Sequence, residues 1–124
     1  MRHVETVRPS FPEFLPNTLL PLEPYERWQV PGGDTGHWRV GFYSPEVGHE
    51  SEIHELEWHD CPELFMVISG RVALVLSDEQ GERIVELLPQ QPIIVTCRHA
   101  GFCPNGPFSG TAIVIERDAF RTEY

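Results

Sequence analysis

The sequence predicts an all-β domain of the barrel or jelly-roll type, and three observations favour this class. Short runs of β-branched and aromatic residues recur along the chain, with turn signals about every 8 to 12 residues. Twelve prolines and ten glycines indicate many turns and few long helices. A length of 124 residues corresponds to one domain that can bury a core without disulfides.

Seven segments have the composition of strands: GHWRVGFY, ESEIHELEWH, LFMVIS, RVALVLS, ERIVELL, PIIVTC and GTAIVIE. In the first segment, Trp38, Val40 and Phe42 share one face and polar residues share the other, as in a half-buried strand. We expect LFMVIS and RVALVLS to form a hairpin around Gly70. The tail DAFRTEY is expected to form one helical turn or none.

Residues 1–33 are predicted to be a Pro-rich N-terminal arm, and residues 34–124 the barrel domain. Six prolines between positions 9 and 31 prevent a long helix and limit strand pairing in the arm. The arm also carries large apolar residues: Phe11, Phe14, Leu15, Leu19, Leu20, Leu22, Tyr25 and Trp28. We therefore expect the arm to lie across the barrel or across a partner subunit.

The charge and the cysteines exclude several classes of function. A formal net charge of -10 repels nucleic acids and anionic membranes. The sequence contains no apolar run long enough for a membrane span and no signal-peptide pattern, so we expect a cytoplasmic protein. Cys61, Cys97 and Cys103 are odd in number and lack CxxC spacing, which favours reduced thiols.

The segment from Glu57 to Gly70 holds the best functional signal. Glu57, His59 and Glu63 stand within seven positions, directly before an apolar strand. In an extended segment Glu57 and His59 project to the same side, and Glu63 can join them from the next strand. Carboxylates and an imidazole at one point suit a divalent cation such as Mn, Fe, Ni or Zn.

The spacing of His59, Glu63 and Gly70 resembles the second half of the first cupin motif, HxHxxxExxxxxxG. Glu57 stands where that motif has its first histidine, so the resemblance implies a cupin with an altered first motif. The second cupin motif is represented by Pro92, the strand PIIVTC and His99. The resemblance therefore implies a metal site with the ligands Glu57, His59, Glu63 and His99.

Two alternatives remain open at this stage. In a second register, Gly48 and His54 match the opening of the first motif, although Leu56 then occupies its second histidine position. We prefer the first register. The competing interpretation of ESEIHELEWH turns its apolar face, with Leu56 and Trp58, inward and leaves Glu57 and His59 in water. Phe65, Cys97 and Phe102 are weaker candidates for a substrate pocket.

Two functions follow from the resemblance. The first is a metal-dependent enzyme in which the cation polarises a carbonyl or enolate of an oxygen-rich metabolite, such as a keto acid, sugar or diketone. Glu57 is then a fourth ligand or the catalytic base, and the reaction is that of an isomerase, lyase or dioxygenase. The alternative is a non-catalytic module that binds a small ligand. We expect a homodimer and a small-molecule substrate or ligand in either case.

Overall fold

The structure is a computed structural model that describes residues 1–23 and 28–124. In these ranges the chain forms strands and one 3-10 turn, Glu50–Glu52, so the all-β prediction is confirmed. The strands are β1 (His3–Thr6), β2 (Trp28–Asp34), β3 (Trp38–Tyr43), β4 (Trp58–His59), β5 (Glu63–Ser69), β6 (Ala73–Asp78), β7 (Gly81–Glu86), β8 (Ile93–Val95), β9 (Arg98–Phe102), β10 (Thr111–Arg117) and β11 (Phe120–Glu123). None of the described segments is a helix that could cross a membrane.

The strands pack as two layers. One layer is a five-stranded sheet in the order β2-β3-β10-β5-β8. The other contains the sheets β7-β6-β9 and β1-β11-β4, which are joined by reciprocal backbone hydrogen bonds between Glu57 and His99. This junction places Glu57 and His99 side by side.

The main hydrophobic core lies between the two layers. Its buried members come from both: Phe65, Val67, Val72, Leu74, Leu76, Leu87, Val95, Cys103, Ala112 and Val114. A second cluster, formed by Ala73, Val75 and Phe102, lies on the other face of β6. Because β6 is covered on both faces, its sequence is a continuous apolar run rather than an alternation.

The predicted hairpin of LFMVIS with RVALVLS is wrong. Strand β5 pairs with β10 and β8, whereas β6 pairs with β7 and β9, so the chain changes layer at Gly70. Gly70 has a φ of +62°, and a Cβ at this position would lie 2.0 Å from the carbonyl oxygen of Ser109. Gly70 therefore allows a crossover between layers, not a hairpin turn.

Three further segments differ from the prediction. Residues 50–59, predicted as one strand, form the 3-10 turn, an extended stretch and the two-residue β4. The tail, for which one helical turn or none was expected, forms the strand β11, which pairs with β1 and β4. Strand β9 was not predicted, since RHAGF has a charged residue, a histidine and a glycine among few apolar ones.

The N-terminal residues contact the body of the protein at several points. Strand β1 pairs with β11, and β2 pairs with β3 at the edge of the five-stranded sheet. The rings of Phe14 and Phe11 lie against the backbone of β2. Leu15 and Leu19 are 77% and 92% exposed. Tyr25 lies outside the described residues.

Candidate metal centre

A cluster of ionisable side chains lies between the two layers, at the inner end of a cavity of about 620 Å³. Glu63 begins β5 in the five-stranded sheet. His59 in β4 and His99 in β9 enter from the opposite layer, and Glu57 is held beside His99 by the backbone junction. Four predicted ligands, from three strands and the segment before β4, therefore meet at one point.

The side-chain atoms of this cluster are within a few ångströms of one another. His99 Nε2 lies 2.8 Å from Glu63 Oε2. His59 Nε2 lies 3.4 Å from Glu57 Oε1 and 3.4 Å from Glu63 Oε1. His99 Nε2 is 3.9 Å from Glu57 Oε1. Both imidazoles thus direct the same nitrogen toward the carboxylates.

The other nitrogen of each imidazole has its own partner. His99 Nδ1 lies 2.9 Å from the Cys97 carbonyl oxygen, which can only accept, so Nδ1 carries the proton. His59 Nδ1 lies 2.8 Å from the hydroxyl oxygen of Thr122. Such contacts fix ring orientation in metal-binding histidines and leave Nε2 as the nitrogen available to a cation.

This arrangement fits a divalent cation. Two ligands about 2.1 Å from one metal lie about 3.0 to 3.4 Å apart at octahedral or tetrahedral angles. The two contacts of His59 Nε2, both 3.4 Å, lie within that interval, and the two of His99 Nε2, at 2.8 and 3.9 Å, lie on either side of it. Glu57, His59 and His99 each place one donor atom within 4.8 Å of the others, and so do His59, Glu63 and Glu116. Two imidazoles with carboxylates suit Mn, Fe, Ni or Zn.

The carboxylates favour the charged forms of the two imidazoles when no cation is present. Burial alone would lower the pKa of His59, but the bonds and charges of Glu57 and Glu63 raise it to about 10. Burial likewise opposes the charge on His99, and Glu63 outweighs it, which raises the pKa of His99. Burial would raise the pKa of Glu63, but His59 and His99 hold it well below its usual range.

A second pair of charges lies directly beside this cluster. Glu116 is the last inward-facing residue of β10, and it pairs with Glu63 of β5 in the sheet. Arg39 donates from Nε and Nη2 to Glu116 Oε1, at 3.0 and 2.7 Å, and both side chains are more than 90% buried. Burial and the neighbouring Glu63 raise the pKa of Glu116 to about 8, although Arg39 opposes this. Glu116 Oε2 has no hydrogen-bond partner among the described residues.

The sequence matches no protein-family model and no curated protein. Solved structures do resemble it. A cupin 2 domain-containing protein from Halorhodospira halophila superimposes with a TM-score of 0.56, at 19% identity over 74% of this chain and 63% of that chain. The Fe(II) form of HppE gives a TM-score of 0.59, at 11% identity over 87% and 65% of the two chains. The chain has a cupin fold.

A third similar structure is that of the polyketide cyclase RemF from Streptomyces resistomycificus. Its TM-score is 0.51, at 20% identity over 73% of this chain and 63% of that one. The chain spans a little less than two thirds of the length of each of these three proteins. The likeness concerns the fold, and the neighbours sharing it include enzymes and an iron protein.

The three predicted pocket residues lie in different places. Phe65 lines the cavity, with its ring centroid 5.6 Å from that of His99. Cys97 does not line it. Its side chain packs against the main core, and its carbonyl oxygen is what reaches His99. Phe102 is also absent from the lining, because it is buried in the second cluster against β6.

The two alternatives for residues 48–59 differ in which side chains face the cavity. Leu56 packs toward the second cluster, whereas Glu57 and His59 face the cavity, so Glu57 and His59 share one side of the segment and Leu56 takes the other. His54 lies at the rim of the cavity and is exposed. The placement agrees with the first register rather than with the second.

Three residues of this site were not predicted. Glu116 and Arg39 form the buried pair, and Thr122 orients His59. Glu116 could have been found, because in GTAIVIE it shares its parity with Ala112 and Val114, which are buried. Nothing in the sequence near Thr122 identified it, since its strand was not recognised.

Proposed function

We propose that this protein is a metal-dependent enzyme that acts on a small oxygen-bearing molecule, with the chemistry of an isomerase or lyase favoured over that of a dioxygenase. The observation that supports this is the convergence of two imidazole Nε2 atoms on two carboxylates, with each Nδ1 occupied elsewhere. Such preorganisation is what a metal site requires before the metal binds.

His59, His99 and Glu63 would hold the cation, with Glu57 beside it. A bound divalent cation supplies Lewis-acid polarisation of a carbonyl or enolate oxygen. Glu63 is 4% exposed, so its role is confined to the interior of the site. The side chain of Glu57 is 37% exposed and lines the cavity, so it can reach a substrate that enters from the mouth.

Glu57 is the residue that we assign to proton transfer. Its carboxylate lies against both imidazoles and faces the cavity, where it can accept a proton from a carbon next to a carbonyl group. Phe65, Val114 and Phe120 give the same cavity an apolar lining beside the cluster. Proton removal followed by return at another atom is isomerisation, and loss of a leaving group instead is elimination.

Elemental analysis of purified protein after reconstitution with Mn, Fe, Ni or Zn tests the metal site. We expect close to one equivalent of metal in the wild type and little in Glu63→Ala and His99→Ala. His49→Ala is the matched control, because His49 is exposed and contacts only its own turn. Wild-type protein that takes up none of these metals would refute the proposal.

Deuterium exchange tests the assignment of Glu57. We expect the metal-loaded protein in D2O to exchange the hydrogen next to the carbonyl of a bound diketone or ketose, as followed by NMR. Glu57→Gln should retain metal and lose exchange by about 100-fold or more. Full exchange in Glu57→Gln would transfer the role to another group.

A non-catalytic ligand-binding protein is the second candidate. It is favoured by the aromatic lining of the cavity, which would hold a ligand without any metal. Stabilisation by a ligand in the absence of metal, with no turnover in its presence, would favour this candidate. A cytoplasmic homodimer remains our prediction for both functions.

A further inference from the structure

The arginines that line the cavity are already paired. Among the described residues, the lining contains six glutamates and two arginines, Arg2 and Arg39. Arg39 is bound to Glu116 at the inner end. Arg2 donates to Glu55 at 2.6 Å near the mouth. Neither arginine therefore offers an unpaired positive charge to a carboxylate or phosphate of a substrate.

Aromatic rings occupy the positions around these arginines. The Arg39 guanidinium lies 4.9 Å from the ring centroid of Phe120 and 5.6 Å from that of Trp28. Arg2 lies 4.0 Å above the ring of Tyr124. Each arginine is thus satisfied by a carboxylate and by a ring face together, which further lowers its availability to an anion.

Two glycines allow the aromatic wall to approach the backbone. A Cβ at Gly41 would lie 2.4 Å from the Trp28 ring, and one at Gly101 would lie 2.7 Å from the Tyr43 hydroxyl. Trp28 and Tyr43 contact each other edge to face at 6.3 Å. With Phe65 and Phe120 they surround a space suited to a flat, unsaturated ligand.

We infer that the substrate is a planar, unsaturated molecule without a carboxylate or phosphate group, and that it presents neutral carbonyl or hydroxyl oxygens to the inner end of the cavity. The part played by the oxygens rests on the proposed metal site. The selection against anions rests on the paired arginines, on the pairing of His59 and His99 with carboxylates, and on the glutamates of the lining. Keto acids and phosphorylated sugars are therefore disfavoured within the broader substrate class.

Calorimetric titration with two chelating probes tests this inference on the metal-loaded protein. Kojic acid and comenic acid share one hydroxypyrone ring, but the first carries a hydroxymethyl group where the second carries a carboxylate. We expect kojic acid to bind at least about tenfold more tightly. Comenic acid binding as tightly or more tightly, or no kojic acid binding at millimolar concentration, would overturn the inference.

Glu55→Gln tests the cause of the selectivity. The variant leaves Arg2 over Tyr124 without its carboxylate, so the affinity for comenic acid should rise several-fold while that for kojic acid is unchanged. Glu86→Gln is the matched control, since it releases Arg71, which does not line the cavity. Equal gains in both variants, or none in Glu55→Gln, would contradict the paired-arginine explanation.

A non-chelating pair, 4-methylphenol and 4-hydroxybenzoate, separates this inference from the proposed function. On metal-free protein the neutral phenol should again bind more tightly. Protein that takes up no metal but still prefers 4-methylphenol would refute the metal-dependent function and retain the inference. Metal-loaded protein that prefers comenic acid would retain the function and refute the inference.

Discussion

Each end of the cavity contains an arginine–glutamate ion pair, which is buried at the inner end and exposed near the mouth. Arg39 and Glu116 are 2.7 Å apart at the inner end, and Arg2 and Glu55 are 2.6 Å apart near the mouth. The inner side chains are 9% and 3% exposed, whereas the outer ones are 60% and 57% exposed. The two pairs therefore have nearly equal contact distances, but the free energy lost when one partner is removed should be much larger for the buried pair.

Removal of one arginine from each pair should give the largest difference. We expect Arg39→Met to lower the free energy of unfolding by about 3 kcal/mol, because it leaves Glu116 buried without its partner. The loss is limited because Glu116, whose pKa is raised to about 8, can take up a proton and become neutral. Arg2→Met should cost less than about 1 kcal/mol. Urea unfolding of both variants measures this. The double variant Arg39→Met/Glu116→Leu should recover most of the lost stability. Equal losses of stability in Arg39→Met and Arg2→Met would contradict the difference expected between the buried and the exposed pair.

The two carboxylates of the metal cluster repeat this contrast in metal affinity. Glu63 is enclosed between both imidazoles, while Glu57 is partly exposed. We expect Glu63→Gln to weaken metal binding by ~100-fold or more and Glu57→Gln by ~10-fold. Competition with a chelator of known affinity measures both values. The reverse order would mean that Glu57 is the principal ligand.

The metal-free protein should lose stability as the pH rises. The pKa of His59 is raised from 6.5 to about 10, so its contribution is complete below pH 6.5 and is lost as the pH approaches 10. Glu63 has a lowered pKa, so its contribution is complete above 4.5 and is lost only toward strong acid. We expect a fall of about 2 kcal/mol between pH 6.5 and 10 in chelator-treated protein. His59→Gln should flatten this part of the profile, and an unchanged slope would exclude His59 as its source.

The hydroxyl of Thr122 should have the smallest effect. Thr122→Val removes the partner of His59 Nδ1 while keeping the side-chain volume, so metal affinity should fall ~10-fold. Thr6→Val is the matched control, because Thr6 also lines the cavity. Chelator competition on both variants measures the difference. Equal affinities would show that the His59 ring is held by packing alone, for example against Phe120.

The sequence predicted the strands whose side chains are sorted by burial. LFMVIS, RVALVLS, GTAIVIE and GHWRVGFY all appear as strands within one or two residues of their predicted limits. It did not predict strand pairing, because the layer change at Gly70 and a hairpin both begin with a glycine after an apolar run. Strands β9 and β11 were missed because they are defined by their partners rather than by composition.

The residues of the site also fall into a group that the sequence predicted and a group that it did not. The spacing from Glu57 to Glu63 indicated three of the clustered residues, and His99 came from a second, weaker pattern. Arg39 and Glu116 were missed because charged residues in a strand are ordinarily placed on the solvent side, whereas β3 and β10 turn them inward as a pair. Pairing across two strands is a three-dimensional property, and one sequence does not display it.

The dependence of His59 on Thr122 has a consequence for how the protein matures. Strand β11 pairs with β4, so residues 63 positions apart in the sequence must meet before His59 is oriented. Contacts between such distant residues form slowly and late in folding. We therefore expect metal to be acquired by an already folded chain, at a rate set by entry through the mouth of the cavity, rather than to nucleate folding as a structural zinc ion does.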